Sequence, residues 1–390
     1  MSSFRERALH RQGELTKPPG SLGRLEELAV HLAAIQKTDQ PSARPAAVLV
    51  FASDHPVTRH GVSAYPASVT AAMVQNFVSG GAASTVMARA LGLSVEVVDV
   101  GVQFPAGLRP KSRDEREDDS VGARFFQDPV TTTPVGDLRT EDAMAAPVFE
   151  AAVAAGRAAV DRLDPDVRMV LLGEMGIGNS TCAAAVACAL LDGAAETFTG
   201  PGTGLDAQGL LRKRQVVDDA VSRYRMQKAD RGPASTAADR GPASAFGTSS
   251  SSGGSEADDE PVATAAGDPE AARILRSLGG KDLAALAGAA VRAAETGRVV
   301  LVDGFIVTTA VVAALGWAPS ARSHLLFAHR SQEPGHLHLL RHLDARPLLD
   351  LDLRLGEATG ALSAFPLLDL ACRLHNEMAT FQEAQVAEKL

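Results

Sequence analysis

An apolar run closed by a polar or glycine-rich cluster recurs along this chain and constrains its fold more than any other feature. Ala46–Ala52 reads AAVLVFA and ends in Ser53-Asp54-His55. Ser94–Val100 (SVEVVDV) reads as a second strand and Arg168–Leu172 as a third. Arg298–Val302 is a fourth, closing on Asp303-Gly304, and Ser323–Ala328 a fifth. Continuous rather than alternating hydrophobicity marks strands covered on both faces, as in a parallel sheet. Helical segments separate the runs: Val69–Leu91, interrupted at Ser79-Gly80-Gly81, and the small-residue stretch Ser180–Leu191. Strand, loop and helix in this order predict a doubly wound α/β sheet. Ligands of such sheets sit beyond the carboxyl ends of the strands, where the polar clusters fall here.

Composition agrees with that class and narrows the function. Hydrophobic residues are 45 % of the 390, ample for a core, while aromatics are only 4 %. Ala-, Gly-, Leu- and Val-rich helices packed on a parallel sheet fit this balance better than a β-sandwich. A net charge of −9 argues against an extended nucleic-acid surface. Cys182, Cys188 and Cys372 form no C-x-x-C pair and read as reduced thiols. Residues Met1–Arg7 are charged, without the apolar core of a secretory signal. The most apolar stretch, Val299–Leu315, carries Asp303 and is too short to span a bilayer. The expectation is a cytoplasmic protein acting on small molecules, with neither nucleic acid nor membrane as partner.

The ends differ from the middle. Phe4–Ile35 reads as helix apart from the turn Lys17–Gly23, and Phe365–Leu390 as helix with apolar residues near three-to-four spacing. The termini are expected to form a small helical subdomain, residues 1–40 joining 346–390 around an α/β domain of 41–345. Within that domain Arg113–Asp119 reads as a solvated charged loop. Ala229–Asp268, rich in Ser, Gly, Ala and Pro, reads as a disordered insertion, because it has too little apolar surface to offset its ordering entropy.

Three clusters carry the potential for chemistry. Gly173–Thr181 (GEMGIGNST) follows a strand and opens a helix, where glycines admit a ligand and free amides suit a phosphate. A dinucleotide fingerprint competes: Gly176 and Gly178 match its first two glycines, Thr181 replaces the third, and Glu196 stands near the position of a ribose-binding acid. A purely structural turn is the third reading. Gly200–Asp206 (GPGTGLD), with Gly202 at its centre, precedes Lys213, either a phosphate ligand or a solvated helix charge. Glu357 lies between Gly356 and Gly360 among small residues that let a flat substrate approach; an ordinary helix-start carboxylate is the alternative. His338 and His342 share a metal-ligand spacing, yet no glutamate follows the first, so no metal role is assigned.

Taken in order, these clusters resemble the nicotinate-nucleotide–dimethylbenzimidazole phosphoribosyltransferase family of cobalamin lower-ligand synthesis. The resemblance rests on Leu15–Glu26 (LTKPPGSLGRLE), Gly61–Pro66 (GVSAYP), Val69-Thr70, Gly80-Gly81-Ala82, the two glycine clusters, Asp303–Phe305, Ala328–Ser331, Glu333–His336 and Arg354–Gly360. It implies a Rossmann-like doubly wound parallel sheet, a small helical subdomain built from both termini, a homodimer and no cofactor. It also implies a reaction: a benzimidazole nitrogen displaces nicotinate from nicotinate mononucleotide, giving α-ribazole 5′-phosphate. By the same resemblance Glu357 is the general base and Glu174 faces the ribose or nicotinate. Gly176, Gly178, Asn179, Gly202 and Lys213 serve the phosphate side, and Ser63, Tyr65 and Met73 the aromatic base. Departures from the family pattern are Pro56 after Asp54-His55, Ala72 near the base, and Lys281-Asp282 within Gly279–Asp282. Pro56 and Ala72 leave the identity of the base open. The rivals are a nucleotide-dependent oxidoreductase and a non-catalytic binding protein; the broken fingerprint opposes the first, the intact Glu357 the second.

Overall fold

The computed structural model describes residues 3–111, 122–202, 204–231 and 269–387. Helices α1 (Phe4–Glu14) and α2 (Arg24–Gln36) lead into strand β1 (Ala46–Ser53). Helices α3 (Val69–Val78) and α4 (Ala83–Leu91) precede β2 (Ser94–Gly101) and β3 (Arg124–Gln127). Next come α5 (Ala146–Asp161), β4 (Met169–Met175), α6 (Asn179–Leu190), the short α7 (Ala195–Phe198) and the long α8 (Ala207–Arg231). The chain continues with α9 (Pro269–Leu278), α10 (Lys281–Glu295), β5 (Val299–Val302) and α11 (Phe305–Trp317). It closes with β6 (Leu325–Phe327), α12 (Pro334–His342) and α13 (Thr359–Glu377).

The strands form one sheet in the order β3-β2-β1-β4-β5-β6, and every pairing is parallel. This is the Rossmann-like, doubly wound arrangement expected of the chain. All residues of β1, β4 and β5 are buried, which their continuous apolar sequences require. Alternate residues serve different layers. Val48 and Val50 pack with α2, α3, α4 and α13 on one face. Leu49 and Phe51 pack with α5, α6, α10 and α11 on the other. Strand order reverses between β1 and β4, so the loops leaving them diverge and open a crevice above their carboxyl ends.

The five expected strands are present, but the sixth, β3, escaped the sequence reading. Arg124-Phe-Phe-Gln127 is a four-residue edge strand beside a charged stretch, too short for a periodic signal. The C-terminal helix is also displaced from its expected span. It starts at Thr359 and stops at Glu377, because the chain beyond pairs with the N-terminal segment. Thr16 N–H donates to the Ala379 carbonyl at 3.1 Å and Phe381 N–H to that of Glu14 at 2.9 Å. The termini thus meet, while α2 and α13 also belong to the layer covering the sheet. Of the tract read as an insertion, residues 229–231 belong to α8, which continues through Arg231. Its remainder, 232–268, and the charged run 113–119 lie outside the described residues. No helix among the described residues is long and apolar enough to cross a membrane.

Helices α5 and α10 lie in unusually close contact, made possible by glycine on both. A Cβ on Gly156 would stand 1.8 Å from the Ala285 carbonyl oxygen, and one on Gly288 would stand 2.1 Å from that of Val153. Each clash is with backbone, so only separation of the helices relieves it. Gly156→Ala is expected to destabilise the protein by about 2 kcal/mol, read as a lower denaturation midpoint. Gly13→Ala on α1, with nothing within 4 Å of the new Cβ, should be neutral or stabilising by about 0.5–1 kcal/mol. Equal behaviour of the two variants would contradict the close-packing account.

Candidate active site

A cavity of about 650 Å³ opens at the carboxyl ends of the central strands. It gathers ten residues singled out from the sequence: Glu357, Glu174, Gly176, Gly178, Asn179, Gly202, Lys213, Ser63, Tyr65 and Met73 all line it. Asp303, His329, Ser331 and Glu333 join them. These four lie in sequence motifs that carry no role of their own by local pattern, although each follows closely on β5 or β6, where a doubly wound sheet places its ligands.

The floor is acidic and its shape comes from an uncommon turn. Gly356, Glu357 and Ala358 have φ of +82°, +60° and +62°. Left-handed backbone costs about 1–2 kcal/mol for each residue that bears a Cβ, so the packing around this turn must hold it. Strand β4 can approach because residue 173 is glycine; a Cβ there would stand 2.5 Å from the Ala358 nitrogen. Asp303, at the end of β5, anchors the turn from below, its Oδ1 accepting the Ala361 N–H at 2.8 Å. Asp303 Oδ2 has no hydrogen-bond partner, and His329 Nε2 lies 3.8 Å from Oδ1. Burial raises the Asp303 pKa, while His329 and the amides of Ala361, Gly360 and Ala358 pull it down.

The turn delivers Glu357 to the cavity, the residue only 5 % exposed. Its Oε2 has no partner. Burial, aided by repulsion from Asp303, pushes its pKa up to about 7. Glu174, on β4, receives a hydrogen bond from the Asn179 amide and packs against Gly356, where a Cβ would come within 2.2 Å of its Oε1. Burial, then repulsion from Asp282, raises Glu174 to about 8. The two carboxyl groups therefore differ in proton affinity, which permits different roles.

The start of α6 and Lys213 add donors that suit an anion. Gly176 and Gly178 lead into α6, and Gly178 has φ +100°. Lys213 reaches in from α8, 1 % exposed, its Nζ donating to Ser180 Oγ at 3.0 Å and to the Gly200 carbonyl at 3.1 Å. Burial lowers its pKa and nearby Glu333 raises it. Beyond β6, His336 accepts the Ser331 N–H on Nδ1 at 2.9 Å, so its proton sits on Nε2 and is donated to Thr308 Oγ1 at 2.9 Å. Burial drives His336 down to about 3, which keeps it neutral. This histidine holds the Ser331 loop.

Several readings from sequence move. Glu196, the candidate ribose-binding acid of a dinucleotide site, lies on α7, where it pairs with Arg214 at 3.4 Å with a side chain 81 % exposed. It is away from the cavity, and no second strand follows α6 at that point, which removes the basis of the oxidoreductase reading. Ala72 is exposed and is not among the lining residues, unlike its neighbour Met73. Pro56 opens a short 3-10 turn, a position where proline is favoured, and stands outside the cavity. Lys281 and Asp282, the charged pair that departs from the family pattern, are both buried. Lys281 donates to the carbonyls of Val130, Thr131 and Thr133, and Asp282 meets His55 at 3.2 Å. His338 is exposed, its ring 5.6 Å from that of Phe198.

A family model described as phosphoribosyltransferase matches residues 1–244 and 259–386. The chain belongs to the phosphoribosyltransferase family. Relatives named nicotinate-nucleotide–dimethylbenzimidazole phosphoribosyltransferase include one from Pseudomonas aeruginosa, 44 % identical over 387 residues, 99 % of this chain and 95 % of the relative. Another, from Bradyrhizobium sp., is 45 % identical over 385 residues with the same coverage. The crystal structure of CobT from Thermus thermophilus matches with a TM-score of 0.79 and 38 % identity over 99 % of both chains. A second structure from that organism, titled as a nicotinate-nucleotide–dimethylbenzimidazole phosphoribosyltransferase, matches with 0.78 and 36 %, again over 99 % of both.

The raised carboxyl groups make a phosphoribosyltransferase of this kind sensitive to pH. A carboxyl whose folded pKa exceeds its ordinary 4.5 binds its proton more tightly when folded. Its contribution to stability is complete below 4.5 and is lost as pH rises through the folded value. Glu357→Gln removes that loss at one position. The melting temperature of the variant, measured without ligands, should therefore gain on the wild type between pH 5.5 and 8. A gap independent of pH would show that Glu357 is not shifted upward.

Proposed function

We propose that this phosphoribosyltransferase transfers the 5-phosphoribosyl group of nicotinate mononucleotide to 5,6-dimethylbenzimidazole or a related base. The products are α-ribazole 5′-phosphate and nicotinate, as cobalamin nucleotide-loop assembly requires. The observation that carries the reading is the unpartnered, buried Oε2 of Glu357 at the cavity floor, on a group poised near neutrality. The names of the similar proteins support the same substrates. A homodimer in the cytoplasm belongs to this reading by family resemblance.

The chemistry follows from where charge must go. Nicotinate leaves C1′ from a positively charged pyridinium, taking the bonding electrons and becoming a neutral ring, so the leaving group needs no acid. The incoming benzimidazole offers the lone pair of one ring nitrogen to C1′ and must lose the N–H proton from the other. Glu357 accepts that proton; a carboxyl near pH 7 is ionised often enough to act and basic enough to hold it. Attack from the face opposite nicotinate turns the β-linked substrate into the α-linked product. Glu174, with a pKa of about 8, carries a proton at neutral pH. It can donate to an oxygen of the ribose or nicotinate without setting a second charge beside Glu357. The start of α6 and Lys213 hold the 5′-phosphate. Ser63, Tyr65 and Met73, with Val62 and Val69 beside them, receive the flat apolar ring.

Incubation with nicotinate mononucleotide and 5,6-dimethylbenzimidazole should release nicotinate and form the α-ribotide in equal amounts. Absence of product above background would defeat the reading. Glu357→Gln should lower kcat by about 100- to 10,000-fold while leaving the KM for the nucleotide within a few-fold. In the wild type, log kcat should rise with pH through about 7 and level off. Retained turnover in the variant would remove Glu357 from its role.

A further inference from the structure

The charge of the cavity wall is poorly matched to the substrate unless one more residue takes part. Five lining carboxyl groups, Glu174, Asp303, Glu333, Asp352 and Glu357, face two lining cations, Lys213 and Arg354. A phosphate dianion and a nicotinate carboxylate must enter this space. Lys213 already donates two of its three N–H bonds to Ser180 and Gly200, and an ammonium cannot grip a phosphate with two parallel bonds.

Arg354 is placed to supply what Lys213 lacks. It is exposed and makes a long bond, Nη1 to the Gly202 carbonyl at 3.3 Å. Gly202 is also where Lys213 arrives, since a Cβ on that glycine would stand 3.4 Å from Lys213 Nζ. The two cations thus converge on one glycine, on the wall that also carries the start of α6. The backbone beneath Arg354 is fixed, because Gln332 N–H donates to the Leu353 carbonyl at 3.0 Å. Arg354 stands three positions before Glu357 on the same loop.

We propose that Arg354 is a substrate-binding residue that takes the 5′-phosphate together with Lys213. It exchanges its bond to the Gly202 carbonyl for a forked pair of bonds to phosphate oxygens. The inference rests on the cavity being a site for nicotinate mononucleotide and adds a source of selectivity for phosphorylated over unphosphorylated substrate. Engagement of the phosphate also steadies the loop that presents Glu357.

The test compares nicotinate mononucleotide with nicotinate riboside, which lacks the phosphate, at saturating 5,6-dimethylbenzimidazole. The quantity read is the ratio of kcat/KM for the two substrates in wild type, Arg354→Gln and Arg354→Lys. The ratio should fall about 10- to 100-fold in Arg354→Gln, chiefly through the KM of the mononucleotide. Arg354→Lys should lie between, because it restores the charge without the fork. An unchanged ratio in Arg354→Gln overturns the proposal. So does an equal loss on both substrates, which would mark Arg354 as a prop for the Glu357 loop. A wild type inactive with both substrates defeats the transferase reading and this inference with it, whereas an active wild type with an unaltered ratio defeats this inference alone.

Discussion

The contact on which the site depends is the docking of the left-handed turn Gly356–Ala358 between β4 and β5. The turn is unfavourable by itself, and two neighbours hold it. Gly173 lets β4 lie against its backbone, and Asp303 ties the first turn of α13 to the end of β5. The strained backbone faces the chemistry, and the core of helices and sheet keeps it in place. Helix α13 also covers one face of the sheet, so the orientation of Glu357 is fixed by the same packing that completes the core.

Burial then does the electrostatic tuning. Glu174, Asp303 and Glu357 share a buried floor and repel one another. The structure answers by giving each a different set of partners. Asp303 is met by His329 and backbone amides, Glu174 by the Asn179 amide, and Glu357 Oε2 by nothing. Asp303 also keeps one unpartnered oxygen, Oδ2, but its other oxygen is tied to the Ala361 amide, and under the proposed function it is Glu357 that receives the substrate proton. Elsewhere on the lining, Lys213 is held by Ser180 and Gly200.

Much of this was legible in the chain because parallel strands announce themselves by continuous apolar runs. Ala46–Ala52 and Arg298–Val302 each ended in a polar cluster, and the sheet brings those ends together. What escaped was whatever lacks a local period. Arg124–Gln127 is a short edge strand held by β2. The start of α13 at Thr359 is dictated by Asp303, more than fifty positions away, and its end by pairing with Glu14 and Thr16. The ordered motifs singled out Glu357 and Glu174, but not that Asp303 would lie beneath the turn. Lys281-Asp282 looked like an ordinary charged pair, and only the fold shows Lys281 buried against the carbonyls of residues 130–133 and Asp282 against His55.

Under the proposed function, Glu357 takes the proton of the incoming base while the phosphate sits beside Lys213 and the start of α6. The most direct measurement is a crystal structure of the protein soaked with nicotinate mononucleotide and 5,6-dimethylbenzimidazole. The account predicts the ring nitrogen not bonded to ribose within about 2.6–3.2 Å of the Glu357 carboxyl group. It places the phosphate beside Lys213 and the start of α6. A ribotide bound in the reverse sense, with its phosphate near Glu357 or its ring out of reach of that carboxyl group, would contradict it.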